Sequence, residues 1–223
     1  MKELQLIRAS PGKALLVVVD VQNEFAKVGG LGSGAPGSEV TEARVKEMAR
    51  MIAVIQGLVE KARATGVQVI FVQSVRTNQE PEVTVFNLPK ILTLGSWAAE
   101  IVEELRPQEG DIVIQKFCNN PWYNTDLERV LDGLVEEPTQ CQVIITGGGI
   151  SVAGGCAHEA LMGFNNRHYP IVVVWDGVYG NPTVAAEYFS RTVYPTYPNV
   201  VHTRSDMIQF VPLREPASSA AKG

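Results

Sequence analysis

Cysteine is scarce in this chain, and long hydrophobic runs are missing. Three cysteines occur among 223 residues, an odd number at uneven spacing that does not suggest a disulfide framework. The apolar runs have the length of strands, far short of a membrane span. The first residues carry charges where a signal peptide would have an apolar segment. We therefore expect a cytoplasmic protein with no membrane partner.

Histidine and excess positive charge are sparse as well. The formal net charge is −5, from 19 basic and 24 acidic residues, and no basic stripe indicates a nucleic-acid surface. The three histidines, His158, His168 and His202, lie late in the chain and lack metal-ligand spacing. The sequence therefore predicts a small-molecule substrate, no nucleic-acid partner, no metal and no other cofactor.

Strand and helix signals alternate along the chain. Apolar positions from Thr41 to Thr65 follow helical spacing, and Gly66 ends that helix. The segment SWAAEIVEEL predicts a short helix capped by Ser96, and NVVHT predicts an edge strand. Repeated βα units predict an α/β fold with a parallel sheet between helices.

The chain is expected to form one domain. Its hydrophobic share of 45% is ample for a core, and single α/β domains often exceed two hundred residues. No internal repeat or second boundary stands out. We therefore predict a single domain over residues 1–223, with flexible ends at 1–12 and 214–223.

Three residues that can carry chemistry follow predicted strands. Asp20 ends LLVVVD, Lys116 ends IVIQK, and Cys156 follows QVIIT and a glycine-rich turn to open a helix. Ligands of an open parallel sheet bind beyond the carboxyl ends of its strands. A carboxylate, an ammonium and a thiol at that edge indicate a nucleophilic hydrolase.

Each of these residues also has a structural explanation. Asp20 would cap a loop unless it meets a cation, and Lys116 alone would snorkel to solvent. A thiol at a helix N-terminus lies near backbone N–H groups without helical partners and near the positive end of the helix dipole. Both favour the thiolate form. Cys118 and Cys141 read as inert buried cysteines. We predict Cys156 as nucleophile, with Asp20 as its general base and Lys116 as the cation.

The same segments resemble the isochorismatase-like cysteine hydrolases, from about Ala14 to about Val201. The matching pieces are DVQNEF, GSWAAEIVEEL followed by GDIVIQK, KFCNNPWYNTDL, and the glycine-rich turn before Cys156. The resemblance implies a three-layer α/β/α sandwich with a mostly parallel central sheet. It also implies an Asp–Lys–Cys triad that hydrolyses small amides or ureides through a covalent thioester, in a homo-oligomer (dimer or tetramer). Asn120–Pro121–Trp122 departs from the family's usual Ser-Ala-Phe-like triplet.

The glycine-rich turn leaves the nucleophile position open between two residues. Counted from Gly149, the family position falls on Gly155; counted back from Asp176, it falls on Cys156. True isochorismatases resemble the first register, with an Asp as general acid on an enol ether. We favour Cys156 and keep enol-ether hydrolysis by Asp20 as the alternative. A degenerate member that only binds a small molecule or a protein is a further alternative.

The pocket and the oxyanion hole are assigned to residues near these segments. Gln22 and Phe25 are spaced to face the cleft, and Arg76 would pair a substrate carboxylate. Backbone amides near Val152 and Cys156 would hold an oxyanion. From the resemblance, the cis peptide before the nucleophile is expected at Ser151–Val152. The predicted substrate-binding and oxyanion residues are Gln22, Phe25, Arg76, Trp122, Ser151, Val152 and Gly155.

Two other enzyme types are disfavoured. Nicotinamidase-like members carry a metal site near the second strand, where this chain reads VQSVRTNQEPEV without histidine. Residues 149–153 approximate the nucleophile elbow of α/β-hydrolases, with Asp176 and His202 following in that order. Ala153 replaces the second glycine of that motif, and too few strands precede Ser151.

Overall fold

A six-stranded parallel sheet forms the centre of the molecule. The computed structural model describes residues 4–32, 39–87, 89–150, 154–180 and 187–213. The strands of the sheet are β2 (Ala14–Val19), β3 (Gln68–Ser74), β4 (Ile112–Lys116), β5 (Gln142–Ile150), β6 (Ile171–Gly180) and β7 (Val200–Thr203). Their spatial order is β4-β3-β2-β5-β6-β7, so β7 is the edge strand that NVVHT predicts.

The strand order fixes where a ligand can bind. From β2 the chain steps outward through β3 to β4, then returns to place β5 on the other side of β2. This reversal makes the gap between β2 and β5 the topological switch point of the sheet. Ligands of open α/β sheets bind outside the carboxyl ends of the strands at such a point.

Helices cover both faces of the sheet and make three layers. The helices are α1 (Asn23–Ala26), α2 (Glu42–Thr65), α3 (Pro81–Thr84), α4 (Leu127–Leu134) and α5 (Cys156–Asn166). Every residue of β2 is buried, and its side chains alternate between two cores. One core packs against α2 and the other against α4 and α5. This confirms the predicted α/β/α class. A strand that is covered on both faces has an unbroken run of apolar residues in the sequence, as β2 does.

The long helix α2 begins and ends where the sequence predicts. The Thr41 side chain accepts a hydrogen bond from the backbone N–H of Arg44 at 3.2 Å. Gly66 adopts a left-handed φ of 79° and donates its N–H to the carbonyls of Ala62 and Arg63. Both ends are local signals that a sequence displays directly.

The helix predicted after Ser96 is wrong, although Ser96 is an N-cap, since its hydroxyl accepts a hydrogen bond from the N–H of Ala99 at 3.4 Å. Two 3₁₀ turns, Trp97–Ala99 and Glu103–Leu105, take its place. Between them Ile101 forms an antiparallel bridge with Gln22. Because this backbone pairs with the chain that follows β2, it cannot make the i to i−4 bonds of a helix.

The chain ends contribute a small second sheet. Strand β1 (Ile7–Ala9) pairs in parallel with β8 (Ile208–Phe210). Ile7 and Ala9 are buried against the α2 core. Residues 7–9 therefore form a strand inside the segment expected to be a flexible end, while 214–223 lie outside the described residues.

The remaining turns are short. They are a π-helical turn at Phe189–Val193 and 3₁₀ turns at Pro138–Gln140, Tyr194–Thr196 and Ser205–Met207. The segment PTVAAEYFSRTV (182–193) predicts a helix; the π-helical turn forms its end, and residues 182–186 lie outside the described ranges. None of the helices in the described ranges combines the length and hydropathy that a bilayer crossing requires.

Candidate active site

Asp20, Lys116 and Cys156 converge at the switch point of the sheet. Asp20 follows β2, Lys116 ends β4, and Cys156 is the first residue of α5. Asp20 has a positive φ of 49°, which is uncommon for a residue other than glycine and clusters at functional sites. Its side chain and that of Lys116 are both buried.

The Lys116 ammonium lies between the carboxylate and the thiol. Its Nζ is 2.9 Å from Asp20 Oδ2 and donates to Cys156 Sγ at 3.1 Å. It also donates to the backbone carbonyl of Cys118 at 3.1 Å and to the hydroxyl of Ser74. A buried charge with this many acceptors is both paired and hydrogen-bonded, which is the condition for keeping it inside a protein.

Ser74 is a member of the cluster that the sequence reasoning missed. Its hydroxyl donates to Asp20 Oδ2 at 3.0 Å while accepting from Lys116. Ser74 is the last residue of β3, the strand between β2 and β4. The signal was therefore present, since Ser74 stands at a strand end like its partners, but a serine there is too common to single out.

The glycine before Cys156 is required by close backbone contact. Gly155 has a φ of 121°, and a Cβ built on it would lie 2.4 Å from the carbonyl oxygen of Gly149. The side chain that reaches Lys116 from this turn is that of Cys156. Its sulfur also lies 3.5 Å from Asn119 Oδ1.

The electrostatics of the cluster favour a protonated thiol. Burial raises the pKa of Cys156, Asp20 raises it further, and Lys116 lowers it, giving a pKa of about 12. The helix start favours thiolate, but burial and Asp20 act in the opposite direction and raise the pKa of Cys156 above its ordinary value. Burial lowers the pKa of Lys116, but Asp20 and Cys156 raise it more, so its pKa lies above the ordinary value and the amine is an ammonium.

One oxygen of the carboxylate is available to take a proton. Oδ2 of Asp20 contacts Lys116 and Ser74. Oδ1 is buried and has no hydrogen-bond partner in the described part of the chain. Oδ1 is therefore the oxygen of Asp20 that can accept a proton while Oδ2 keeps its contacts with Lys116 and Ser74.

The cluster opens into a cavity of about 330 Å³. Asp20, Ser74 and Cys156 line its floor. This volume is at the small end of the range for ligand pockets. The wall contains three of the residues assigned to substrate binding from the sequence, which are Phe25, Arg76 and Gly155.

A sequence model described as the isochorismatase domain matches residues 14–203. The chain belongs to the isochorismatase family.

Relatives with curated names include two ureidoacrylate amidohydrolases. Ureidoacrylate amidohydrolase RutB of Serratia proteamaculans (strain 568) is 32% identical over 146 residues, which cover 57% of this chain and 56% of that protein. RutB of Pantoea ananatis (strain LMG 20103) has the same identity and coverage. The chain thus spans 56% of the length of these relatives.

Solved isochorismatase-family structures share the fold. N-carbamoylsarcosine amidase from Thermoplasma acidophilum superposes with a TM-score of 0.65 at 26% identity, covering 87% of this chain and 97% of that one. A cysteine hydrolase from Pseudomonas syringae pv. phaseolicola 1448A gives a TM-score of 0.69 at 22% identity, covering 92% and 94%. The second comparison bears on the fold alone.

Gln22 supports the isochorismatase-family site from behind instead of lining the cavity. Its amide nitrogen donates to the carbonyls of Ser74 and Ala99, both at 2.7 Å, and its Oε1 accepts from the N–H of Ser74 at 2.9 Å. The side chain is fully buried. Gln22 therefore fixes the end of β3, and its polar atoms face backbone groups away from the cavity.

Trp122 also packs away from the cavity. Its ring packs edge-on against Phe164, with 4.7 Å between the ring centres, and the Cζ atom of Arg167 lies 3.9 Å from the centre of the Trp122 ring. Its Nε1 donates a hydrogen bond to the carbonyl of Ala160 at 3.3 Å. It occupies the space above Gly163, where a Cβ would lie 1.8 Å from Nε1. The structure therefore places Trp122 against α5, where it packs on the helix that begins with Cys156.

The glycine-rich turn is only partly described. Ser151 and Val152, with the cis bond expected between them, lie outside the described residues. A cis peptide occurs at Gly148–Gly149, and both of these glycines line the cavity.

The remaining cysteines differ from each other. Cys141 is buried, as expected, and burial raises its pKa to about 11. Cys118 is half-buried and lines the cavity, so the expectation of a buried position in the core is wrong for it. It follows Lys116 by two residues, which carries it to the rim of the same site.

The α/β-hydrolase alternative is not supported. Both carboxylate oxygens of Asp176 accept hydrogen bonds from Ser205, at 2.9 Å from its N–H and 2.7 Å from its hydroxyl. The isochorismatase domain covers this whole region. Within the described ranges, no group of three or more His, Cys, Asp or Glu side chains is arranged to hold a metal ion.

Proposed function

We propose that this protein hydrolyses a C–N bond of a small amide or ureide, with Cys156 as nucleophile. The observation that carries the proposal is the position of Lys116 Nζ, 2.9 Å from Asp20 Oδ2 and 3.1 Å from Cys156 Sγ, two residues that line the cavity. The names of the relatives, an amidohydrolase and an amidase, support the same reaction class.

The first step forms a thioester precursor. Asp20 Oδ1 takes the thiol proton as the sulfur attacks the substrate carbonyl carbon, so a C–S bond forms and the carbonyl π electrons move to oxygen. The raised pKa of Cys156 keeps the thiol neutral until this transfer. N–H groups in the first turn of α5 lack partners within the helix and would stabilise the oxyanion.

The second half of the reaction restores the enzyme. The oxyanion collapses, the C–N bond breaks, and Asp20 returns its proton to the leaving nitrogen, which departs as the amine. Asp20 then removes a proton from water as the hydroxide oxygen attacks the thioester carbon. The C–S bond breaks, the sulfur regains the proton, and the net reaction consumes one water.

A kinetic comparison on small amides and ureides tests the proposal. Cys156→Ala should lower kcat/KM by at least about 1,000-fold, since a nucleophile cannot be replaced by its neighbours. Cys118→Ala is the matched control because Cys118 lines the same cavity, and it should retain activity within about threefold. Equal losses in both variants would contradict the assigned nucleophile.

Enol-ether hydrolysis is the second candidate. It is favoured by Asp20 Oδ1, which lacks a partner within the described residues and, once protonated, would act as an acid without Cys156. Turnover of isochorismate that survives Cys156→Ala and disappears in Asp20→Asn would establish this chemistry. A chain that binds amides or ureides and turns over neither substrate type would be a binding member of the family.

The cytoplasmic location and the homo-oligomer stay predictions. Light scattering of the purified protein would distinguish a monomer from the expected dimer or tetramer.

A further inference from the structure

The cavity wall is positively charged although the protein is acidic. Arg44 from α2 and Arg76 after β3 both line it. Neither forms an ion pair with a carboxylate of the described residues. Asp20, the one carboxylate among the described lining residues, is bound to Lys116. The chain as a whole has a formal charge of −5, so this concentration of positive charge is local.

Arg76 has a fixed backbone and an unused donor. Its N–H donates to the carbonyl of Leu92 at 2.8 Å, and its carbonyl accepts from Leu94 at 2.9 Å. Nη1 of Arg76 is buried and has no partner within the described residues. A buried donor without an acceptor is unfavourable and calls for an explanation. A ligand acceptor in the cavity would supply the missing hydrogen bond.

Arg44 is held over the same space from another element. Its Nε donates to the backbone carbonyl of Phe25 at 3.3 Å, and its guanidinium lies 4.6 Å from the centre of the Tyr179 ring. These contacts restrict the side chain before any ligand arrives. Met48 and Ile91 on the cavity wall are apolar, and such surroundings strengthen charge interactions relative to water.

We propose that the substrate is a small carboxylate-bearing ureide or amide, an anion whose carboxylate is bound by Arg44 and Arg76. Planar guanidinium groups match the two oxygens of a carboxylate. With that end held, the carbonyl carbon at the other end lies toward Cys156. This assignment deepens the proposed function and depends on it for the reaction, but not for the binding of the anion.

Matched substrates that differ only in charge test the inference. The pairs are N-carbamoylglycine with N-carbamoylglycinamide, and N-carbamoyl-β-alanine with its amide. The wild type should favour the acid of at least one pair. In Arg76→Gln, kcat/KM for that acid should fall by about 10- to 100-fold, which corresponds to the loss of a charge-assisted hydrogen bond. The value of kcat/KM for the amide should change by less than about threefold.

Two variants make the kinetic result specific. Arg76→Lys keeps the positive charge but loses the planar guanidinium, which can donate two parallel hydrogen bonds to a carboxylate. Its decrease in kcat/KM for the acid should therefore be smaller than that of Arg76→Gln. Arg8→Gln removes the same charge from an exposed position and should change neither substrate. Arg44→Gln should resemble Arg76→Gln. No preference for either acid in the wild type, or an equal fall for acid and amide in Arg76→Gln, would overturn the anion site.

A binding measurement separates this inference from the proposed function. Calorimetry would use Cys156→Ala with the same acids and amides. Suppose that the wild type hydrolyses none of the substrates, but Cys156→Ala binds an acid more tightly than its amide. If the affinities for acid and amide then become equal in Cys156→Ala/Arg76→Gln, the anion site is supported and the hydrolase proposal fails. Equal affinity, or no binding of any of the four compounds, would overturn the anion site.

Discussion

At the scale of single residues, Lys116 sets the charge balance of the site. Its ammonium is fully buried and lies within 3.1 Å of both Asp20 Oδ2 and Cys156 Sγ. With the thiol protonated, the buried cluster of Asp20 and Lys116 is neutral. A thiolate would add a buried negative charge without a second cation. In the proposed mechanism the cysteine therefore needs a base at the moment of attack, and that role is assigned to Asp20.

Neutralising Asp20 should uncouple thiolate formation from catalysis. Asp20 raises the pKa of Cys156 and Lys116 lowers it, so Asp20→Asn should shift the Cys156 pKa downward. Alkylation of Cys156 by iodoacetamide at pH 7 should then be faster than in wild type by about tenfold or more. Hydrolysis should nevertheless be lost with the base.

The alkylation rate should be followed by peptide mass spectrometry in a Cys118→Ala background. Cys141, whose pKa is raised to about 11, serves as the slow internal reference. Asp126→Asn is the matched control because Asp126 is an exposed aspartate paired with Arg129. Slower alkylation of Cys156 in Asp20→Asn than in wild type would contradict the described electrostatics.

Candidate site residues could be predicted from the sequence where a charged residue contrasts with apolar neighbours. Asp20 and Lys116 each follow an apolar strand, where an isolated charge is conspicuous. The tasks of Gln22 and Trp122 could not be predicted, because their partners in space, such as Ala99 and Ala160, are distant in sequence. Only the folded chain shows that their polar atoms are already occupied.

At the scale of elements, the start of α5 determines where the sulfur lies. Gly155 precedes the helix with a φ of 121°, in contact with the backbone of Gly149. This turn allows Cys156 to be the first helical residue, facing Lys116 across the end of the sheet. The position of the Cys156 sulfur thus depends on a backbone conformation that favours glycine.

Gly155→Ala should therefore reduce both stability and activity. The added Cβ would clash with Gly149 and occupy an unfavourable φ, at a cost of about 1–3 kcal/mol in the free energy of unfolding. The sulfur would also be displaced, and kcat/KM should fall at least about tenfold. Urea denaturation and steady-state kinetics give the two numbers.

Gly57→Ala provides the matched control for that substitution. Gly57 lies within α2, and a Cβ there would meet nothing within 4 Å. Alanine should stabilise this helix by about 0.5–1 kcal/mol and leave kcat/KM unchanged. If Gly155→Ala were as stable and as active as Gly57→Ala, the turn would not be what positions Cys156.

Elements were predictable from sequence where their signals are local. The ends of α2 depend on Thr41 and Gly66, which act within a few residues. The conformation of the segment after Ser96 depends on the pairing of Ile101 with Gln22. This contact between distant parts of the chain outweighs the helical propensity of the segment. The pairing of β1 with β8 joins the two ends of the chain and leaves no local trace.

At the scale of the whole molecule, strand order creates the site. The chain reverses its direction of travel across the sheet between β2 and β5, and the carboxyl ends of these strands lie at the cavity. The same reversal brings Asp20, Ser74, Lys116 and Cys156 together from four separate segments. The parallel class was predictable from alternating βα signals, and the strand order became visible only in the folded chain.

The most direct test of the account is mass spectrometry of the protein and of its proteolytic peptides after rapid acid quenching, using a small amide or ureide that the wild type hydrolyses. The thioester intermediate should appear as an acyl adduct on the peptide that contains Cys156 in wild type. It should be absent in Cys156→Ala and present on no other cysteine. Continued turnover by Cys156→Ala, or an adduct on Cys118 in its place, would contradict the central claim that the buried Asp20–Lys116 pair activates Cys156.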